Sequence, residues 1–260
     1  MSAEPLLVAT ELSVRFGGVR ALDGLNLSID EGEMLGLIGP NGSGKTTFFN
    51  TVTGFVVPAG GSIRFAGEDL TGMIPRKVAR RGIARTFQRL RLLLELSVFD
   101  NLMLGLHLSL NHGVWSNLVM RRGLRQSIER YATIARELLA QFSPALPDRL
   151  FEPAGTLTMI DRRRVEVCRA LIREPKLLLL DEPSAGMTPD ETHELMRDLL
   201  RVKAGRPALA VVLIEHDMTV IESVTQRCAV LDYGRKVCEG SYAQVTADPE
   251  VRRAYLGLEE

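Results

Sequence analysis

"GPNGSGKT" occupies Gly39 to Thr46 and fits the pattern G-x-x-x-x-G-K-[ST]. It follows an apolar, strand-like run, Met34–Ile38, and precedes a helix-like stretch, "TTFFNTVTGF", that stops near Gly54. A strand, a glycine loop and a helix in that order form a cradle for phosphate. The glycines let backbone N–H groups turn inward, and the helix N-terminus adds partial positive charge. Lys45 can reach the β- and γ-phosphates, and the Thr46 hydroxyl can ligate Mg²⁺. Gly39, Pro40, Asn41, Gly42, Ser43, Gly44, Lys45, Thr46 and Thr47 are therefore the nucleotide-binding candidates. An unrelated glycine turn would lack both flanking elements.

Working outward, the first third of the chain reads as β. "LLVATELSVRF" and "LNLSIDEGEMLGLIG" are rich in branched residues with partial alternation, and "GSIRFAGEDL" follows a Gly-Gly turn. From Leu90 to about Gly155 the pattern turns helical. Ile128, Tyr131, Ile134, Ala135, Leu138, Leu139 and Phe142 recur at spacings of three and four, which predicts one apolar face, with Pro144 and Pro147 ending the helix. "NHGVWSN" (111–117) reads as a loop. "KLLLL" and "ALAVVLI" then read as buried parallel strands, and "CAVLDYGRKVCEG" as a hairpin turning near Tyr233-Gly234. These elements predict an α/β P-loop core, residues 1–89 and 156–260, with an N-terminal antiparallel β subdomain and a helical subdomain inserted at 90–155.

Two further strand ends carry chemistry. "KLLLLDEP" puts Asp181 and Glu182 at the end of a hydrophobic strand, the carboxyl edge where parallel sheets bind ligands. Asp181 can anchor Mg²⁺, and Glu182 can polarise an attacking water. A turn with two acids before Pro183 fits the same letters. "VVLIEHDM" ends the next apolar strand with His216, which could touch a γ-phosphate or be structural. Gln88 in "ARTFQ" stands where core meets helices. It could bind Mg²⁺ or the attacking water and report nucleotide state.

Composition excludes little and agrees with this. In 260 residues, 45% are hydrophobic and 25% charged, enough for a full core. Basic and acidic residues number 32 each, which argues against a bulk nucleic-acid binder. Cys168, Cys228 and Cys238 lack metal-ligand spacing and read as thiols in a reducing compartment. "MSAEPLLVAT" lacks the pattern of a signal peptide, and the apolar runs near Ala208–Ile214 fall far short of the ~20 residues of a membrane span.

In order, "GPNGSGKT", "ARTFQ", "LTMIDRRRVEVCRAL", "LLLLDEP", "SAGMTPDE" and "IEHD" resemble the motifs of an ABC transporter's ATP-binding subunit, over nearly the whole chain. "GPNGSGKTTFFNTVTGF", "ARTFQRLRLL", "LSVFDNLMLG" and "RRAYLG" are similar to branched-chain amino-acid uptake ATPases. The resemblance implies ATP and Mg²⁺ as cofactors and ATP hydrolysis that powers import of branched-chain or other hydrophobic amino acids. It implies that Phe16 stacks on adenine, Glu182 is the general base, His216 the switch and Gln88 the link to permease subunits, with "LLLELSVFDNL" near their contact. It places the chain on the cytoplasmic face of the inner (plasma) membrane, with an extracytoplasmic solute-binding protein as an indirect partner. A soluble ABC ATPase acting on nucleic acid or ribosomes, a nucleotide-gated regulator and a P-loop kinase are the rival classes.

Two positions depart from the family pattern. The signature should read Leu-Ser-x-Gly; here Thr158 replaces Ser and keeps a hydroxyl, Ile160 replaces Gly, and Asp161 follows as an acid. Thr188 stands where many members carry Asp or Asn. Family members work as face-to-face dimers, with each ATP between one subunit's phosphate loop and the other's signature. The resemblance therefore implies a heterodimer, since identical chains would carry the defect at both sites.

Overall fold

The computed structural model describes residues 4–106 and 121–256, with side chains left aside at 121–127 and 254–256. The "NHGVWSN" loop lies outside the described residues. The described chain forms two compact units: 1–85, 176–182 and 206–260 make the first, and 86–175 with 183–205 make the second.

The first unit holds two sheets. β1 (Leu7–Phe16), β2 (Val19–Ile29), β4 (Gly60–Phe65) and β5 (Glu68–Asp69) form an antiparallel sheet in the order β2-β1-β4-β5. Its alternating pattern puts Leu7, Ala9, Leu12 and Val14 inward. The second sheet has six strands. They are β3 (Met34–Ile38), β6 (Ile83–Arg85), β7 (Leu177–Asp181), β8 (Ala210–Ile214), β9 (Arg227–Asp232) and β10 (Arg235–Gly240), in the order β10-β9-β3-β8-β7-β6. β3, β7 and β8 are buried at every position, as continuous apolar runs in a parallel sheet should be. Only β10 runs antiparallel, and it pairs with β9 around the expected turn at Tyr233-Gly234.

Helix α1 (Lys45–Val52) packs Phe48 and Phe49 into the core shared by both sheets. Fully burying each such ring is worth about 1.5–3 kcal/mol, which fixes the helix behind the loop that starts it. The short α2 (Pro75–Arg80) and β6 carry no strong pattern in the sequence.

The second unit is helical: α3 (Val98–Leu106), α4 (Arg121–Ala140), α5 (Met159–Leu171) and α6 (Pro189–Ala204). The apolar face expected on α4 is narrower than its spacing implied. Ala135, Leu138, Leu139 and Phe142 are buried, but Ile128 and Ile134 are exposed and Tyr131 is only half-buried. Periodicity marks a stripe; neighbours decide how much of it is covered. The helix also stops at Ala140, before either proline, and Pro147 lies in a 3₁₀ turn, Leu146–Arg149.

Thr188 caps α6. Its hydroxyl accepts the Glu191 N–H (3.3 Å) while the Glu191 carboxylate accepts the Thr188 N–H (2.9 Å). That reciprocal pair satisfies two otherwise orphaned donors. The first unit is completed by α7 (Met218–Val224), α8 (Tyr242–Ala247) and α9 (Pro249–Leu256).

Candidate functional site

β3, β8 and β7 are adjacent and parallel, so their carboxyl ends open on one edge of the sheet. To that edge they deliver the loop from Gly39, the Glu215-His216 segment and the Asp181-Glu182 pair. Sequence separates the loop from the other two groups by more than a hundred residues, and those two from each other by over thirty; the strand order brings all three together.

The loop's conformation needs its glycines. Gly39, Gly42 and Gly44 have φ of 149°, 83° and 108°, a region L-residues rarely adopt. At Gly39 a Cβ would also meet the Leu231 carbonyl oxygen at 2.1 Å. The Lys45 ammonium donates to the carbonyls of Gly39 (2.6 Å) and Pro40 (2.9 Å) inside the loop. Burial pushes its pKa down, while the nearby Glu182 and Asp181 carboxylates oppose the shift. Thr46 is exposed on the first turn of α1 and Thr47 is half-buried behind it. The Gly234 N–H donates to the Ser43 carbonyl (3.0 Å), pinning the loop to the β9–β10 turn.

At the end of β7 the two acids diverge, because Asp181 is the last strand residue and Glu182 begins the turn beyond it. Asp181 is buried and its Oδ2 accepts from Arg85 Nη2 at 2.7 Å. Arg85 Nη1 also donates to Asn50 Oδ1 of α1 (2.7 Å), so one guanidinium ties the phosphate-loop helix to the β7 acid. Glu182 adopts φ of 48°, and its N–H donates to the Ile214 carbonyl (3.0 Å). That turn aims its carboxylate at His216: Glu182 Oε1 lies 2.9 Å from His216 Nε2. Half-open to solvent, the pair is a carboxylate and an imidazole set up to pass or hold a proton. Phe16 ends β1 with its ring 53% exposed, beside the Gly17-Gly18 turn. An open groove beside the loop is lined by Pro40 to Ser43, Val19, Tyr233 and Arg253, among others.

The remaining candidates belong to the helical unit. Gln88 is exposed, and its carbonyl accepts from Arg163. Thr158 caps α5, its hydroxyl 3.3 Å from the Asp161 N–H and 3.0 Å from the Asp161 carboxylate. Ile160 is 8% exposed, its side chain packed within the unit. Asp161 is further held by Arg164 (3.0 Å). Sequence reasoning passed over Arg85 in "ARTFQ" and Arg163 in "LTMIDRRRVEVCRAL" without giving either a role; only the fold places them against the candidates.

A glycine loop on the carboxyl edge of a parallel sheet, a cation inside it, and acidic and imidazole groups on neighbouring strand ends define a P-loop nucleoside triphosphatase. A family profile described as "ABC transporter" matches residues 22–185, and one described as "Branched-chain amino acid ATP-binding cassette transporter" matches 235–260. The high-affinity branched-chain amino acid transport ATP-binding protein BraF of Pseudomonas aeruginosa is 37% identical over 260 residues, covering 98% of this chain and 99% of that protein. LivG of Escherichia coli K12, of the same description, is 37% identical over 98% of this chain and 99% of its own length. The crystal structure of the ADP conformation of MJ1267, an ATP-binding cassette of an ABC transporter, superposes with a TM-score of 0.83 at 29% identity, covering 98% of this chain and all of that one. The chain belongs to the ABC transporter family, as an ATP-binding, ATP-hydrolysing subunit.

Proposed function

We propose that this chain is the ATPase of an importer of branched-chain or other hydrophobic amino acids, working through its permease subunits. The solute assignment is supported by the C-terminal match at 235–260 and by relatives named for branched-chain amino acid transport. No helix among the described residues is long and apolar enough to cross a membrane, so contact with the bilayer falls to the permease. The chain would act at the cytoplasmic face of the inner membrane, with a solute-binding protein on the far side and no nucleic-acid partner.

The observation that carries the ATPase reading is the Glu182–His216 pair at 2.9 Å on the same sheet edge as the Lys45 loop. In this reading the loop N–H groups of Gly39 to Thr47 hold the triphosphate. Lys45 leaves the Gly39 and Pro40 carbonyls for the β/γ oxygens, and Phe16 stacks under the adenine. Glu182 takes the proton of the attacking water, and His216 holds Glu182 oriented and senses the γ-phosphate. Mg²⁺ would neutralise developing phosphate charge. The residues present fit such a metal, since Thr46 and Asp181 offer hard oxygens. Among the described residues there is no cluster of three or more His, Cys, Asp or Glu to cage a metal. That suits an ion bound through substrate phosphate and one or two protein oxygens.

The test is Glu182→Gln in the reconstituted transporter. ATP binding should persist, and hydrolysis should fall by roughly 10²–10⁴-fold, the usual worth of a positioned base. Hydrolysis within a few-fold of wild type would remove Glu182 from the role.

We further infer a mixed ATPase dimer. The Thr158 hydroxyl is engaged by Asp161, and a carboxylate stands in the first turn of α5 where an incoming phosphate would be repelled. The loop, Asp181, Glu182 and His216 are all present. The chain's own ATP is therefore best completed by a partner with an undamaged signature.

A further inference from the structure

Arg163 is 2% exposed, with one guanidinium facing three separate stretches of the helical unit. Nη1 donates to Glu166 Oε2 (3.0 Å) and reaches the Phe87 carbonyl (3.5 Å). Nη2 donates to the Gln88 carbonyl (3.0 Å) and to the Ala185 carbonyl (3.2 Å). Glu166, also 2% exposed, accepts the Arg91 N–H (3.0 Å) through its other oxygen, with the Arg169 guanidinium at 3.6 Å. A buried ion pair is weak evidence of stability, because apolar residues of similar volume usually serve the fold as well or better. Arg163 Nε moreover has no acceptor among the described residues, a cost that a site selected for stability would avoid. The arrangement is better matched to holding backbone in register.

We propose that Arg163, fixed by Glu166, is a positioning residue that locks the Gln88 segment, α5 and the segment just after Glu182 into one moving piece. The two carbonyls that share Nη2 belong to Gln88 and to Ala185, three residues beyond Glu182 in the chain. Neither can shift without releasing or dragging the other. α5 carries Arg163 itself, with Thr158 at its start. A displacement of the Gln88 segment is thus imposed on α5 and on the 184–185 segment together. This inference rests on the ATPase reading above, since it gives the linkage a reaction to serve. The phosphate loop belongs to the other unit, so nucleotide affinity is not expected to depend on Arg163.

The experiment compares wild type with Arg163→Met, Arg163→Lys and Glu166→Gln. It measures the affinity of the full-length chain for a fluorescent ATP analogue, thermal unfolding, and KM and kcat for ATP in the transporter reconstituted with its permease. Misplacing reacting groups by about 1 Å costs on the order of 10²-fold. Arg163→Met should therefore lose ten- to a hundred-fold in kcat with KM and analogue affinity within about two-fold of wild type. Arg163→Lys should recover only part, because a point cation replaces a two-pronged donor. Glu166→Gln, which keeps the shape, should fall between. Unchanged kcat in all three variants overturns the proposal. So does a kcat loss fully accounted for by unfolded protein, or full rescue by Lys. Failure of the wild-type chain to bind the analogue would instead sink the ATPase reading.

Discussion

Gly39 shows how much one residue can settle. Its neighbours form a common strand-to-helix turn, but its φ of 149° and the 2.1 Å approach of a would-be Cβ to the Leu231 carbonyl admit only glycine. Gly39→Ala must move backbone in the phosphate loop or in β9. Residues held in such regions cost about 1–3 kcal/mol each, and the Gly39 carbonyl, which would move with the loop, is one that Lys45 uses. The expected outcome is weaker ATP binding, by ten-fold or more, alongside a stability loss of that size. Equilibrium titration with ATP and chemical denaturation would check it; wild-type affinity would show that the loop tolerates the shift. The motif G-x-x-x-x-G-K-[ST] named this residue, and the reason for it lies in a strand nearly two hundred positions away. Asp181 teaches the converse. The sequence marks it as an acid at a strand end, but its buried tie to Arg85 and, through Arg85, to Asn50 comes from three segments that share no local pattern.

Between elements, the contact of α5 with α6 runs through Arg164. It donates to Asp198 twice (2.9 and 2.7 Å), to Glu194 (2.5 Å) and to Asp161 (3.0 Å). Burial works against its charge, yet those carboxylates hold its pKa above the usual range. Arg164→Met strands the buried Asp198 carboxylate, left with Arg201 at 3.4 Å. Breaking a buried pair from one side costs about 3–5 kcal/mol. Replacing Asp198 with Leu in the same chain should return much of it, since the uncompensated charge is then gone. Denaturant unfolding of the single and double variants measures both, and a single-variant loss under about 1 kcal/mol would show that the pair is idle. The period of α4 was visible in the sequence; its coverage and the partners of α5 were not. Ile128 and Ile134 keep the right spacing and remain exposed, because spacing records which residues can share a face without saying what packs on it.

For the whole molecule, the prediction concerns company. With hydrolysis stopped by Glu182→Gln, ATP should leave this chain alone monomeric and should drive it into a dimer with a second ATPase whose signature keeps its glycine. Losing one hydrogen bond to a charged group costs about 1.5–3 kcal/mol, so two damaged sites would weaken closure of a homodimer twice over. Light scattering with and without ATP separates the outcomes, and a stable ATP-dependent homodimer would end the idea. Cys168, Cys228 and Cys238 form no disulfide, so reducing agents should not alter either state.

Motifs that act through their own backbone were legible in the sequence: the glycine loop, the acidic strand end and the run of buried strands. Each is a local pattern whose physics spans fewer than about ten residues. What required the tertiary structure was every relation between distant segments. The order β10-β9-β3-β8-β7-β6 sets Glu182 against His216, and the packing of the helical unit makes Arg163 a junction of three stretches. A buried charge takes its meaning from the groups that desolvate and pair it, and in this chain those groups lie as far as 194 residues away in sequence, as Glu33 does from Arg227.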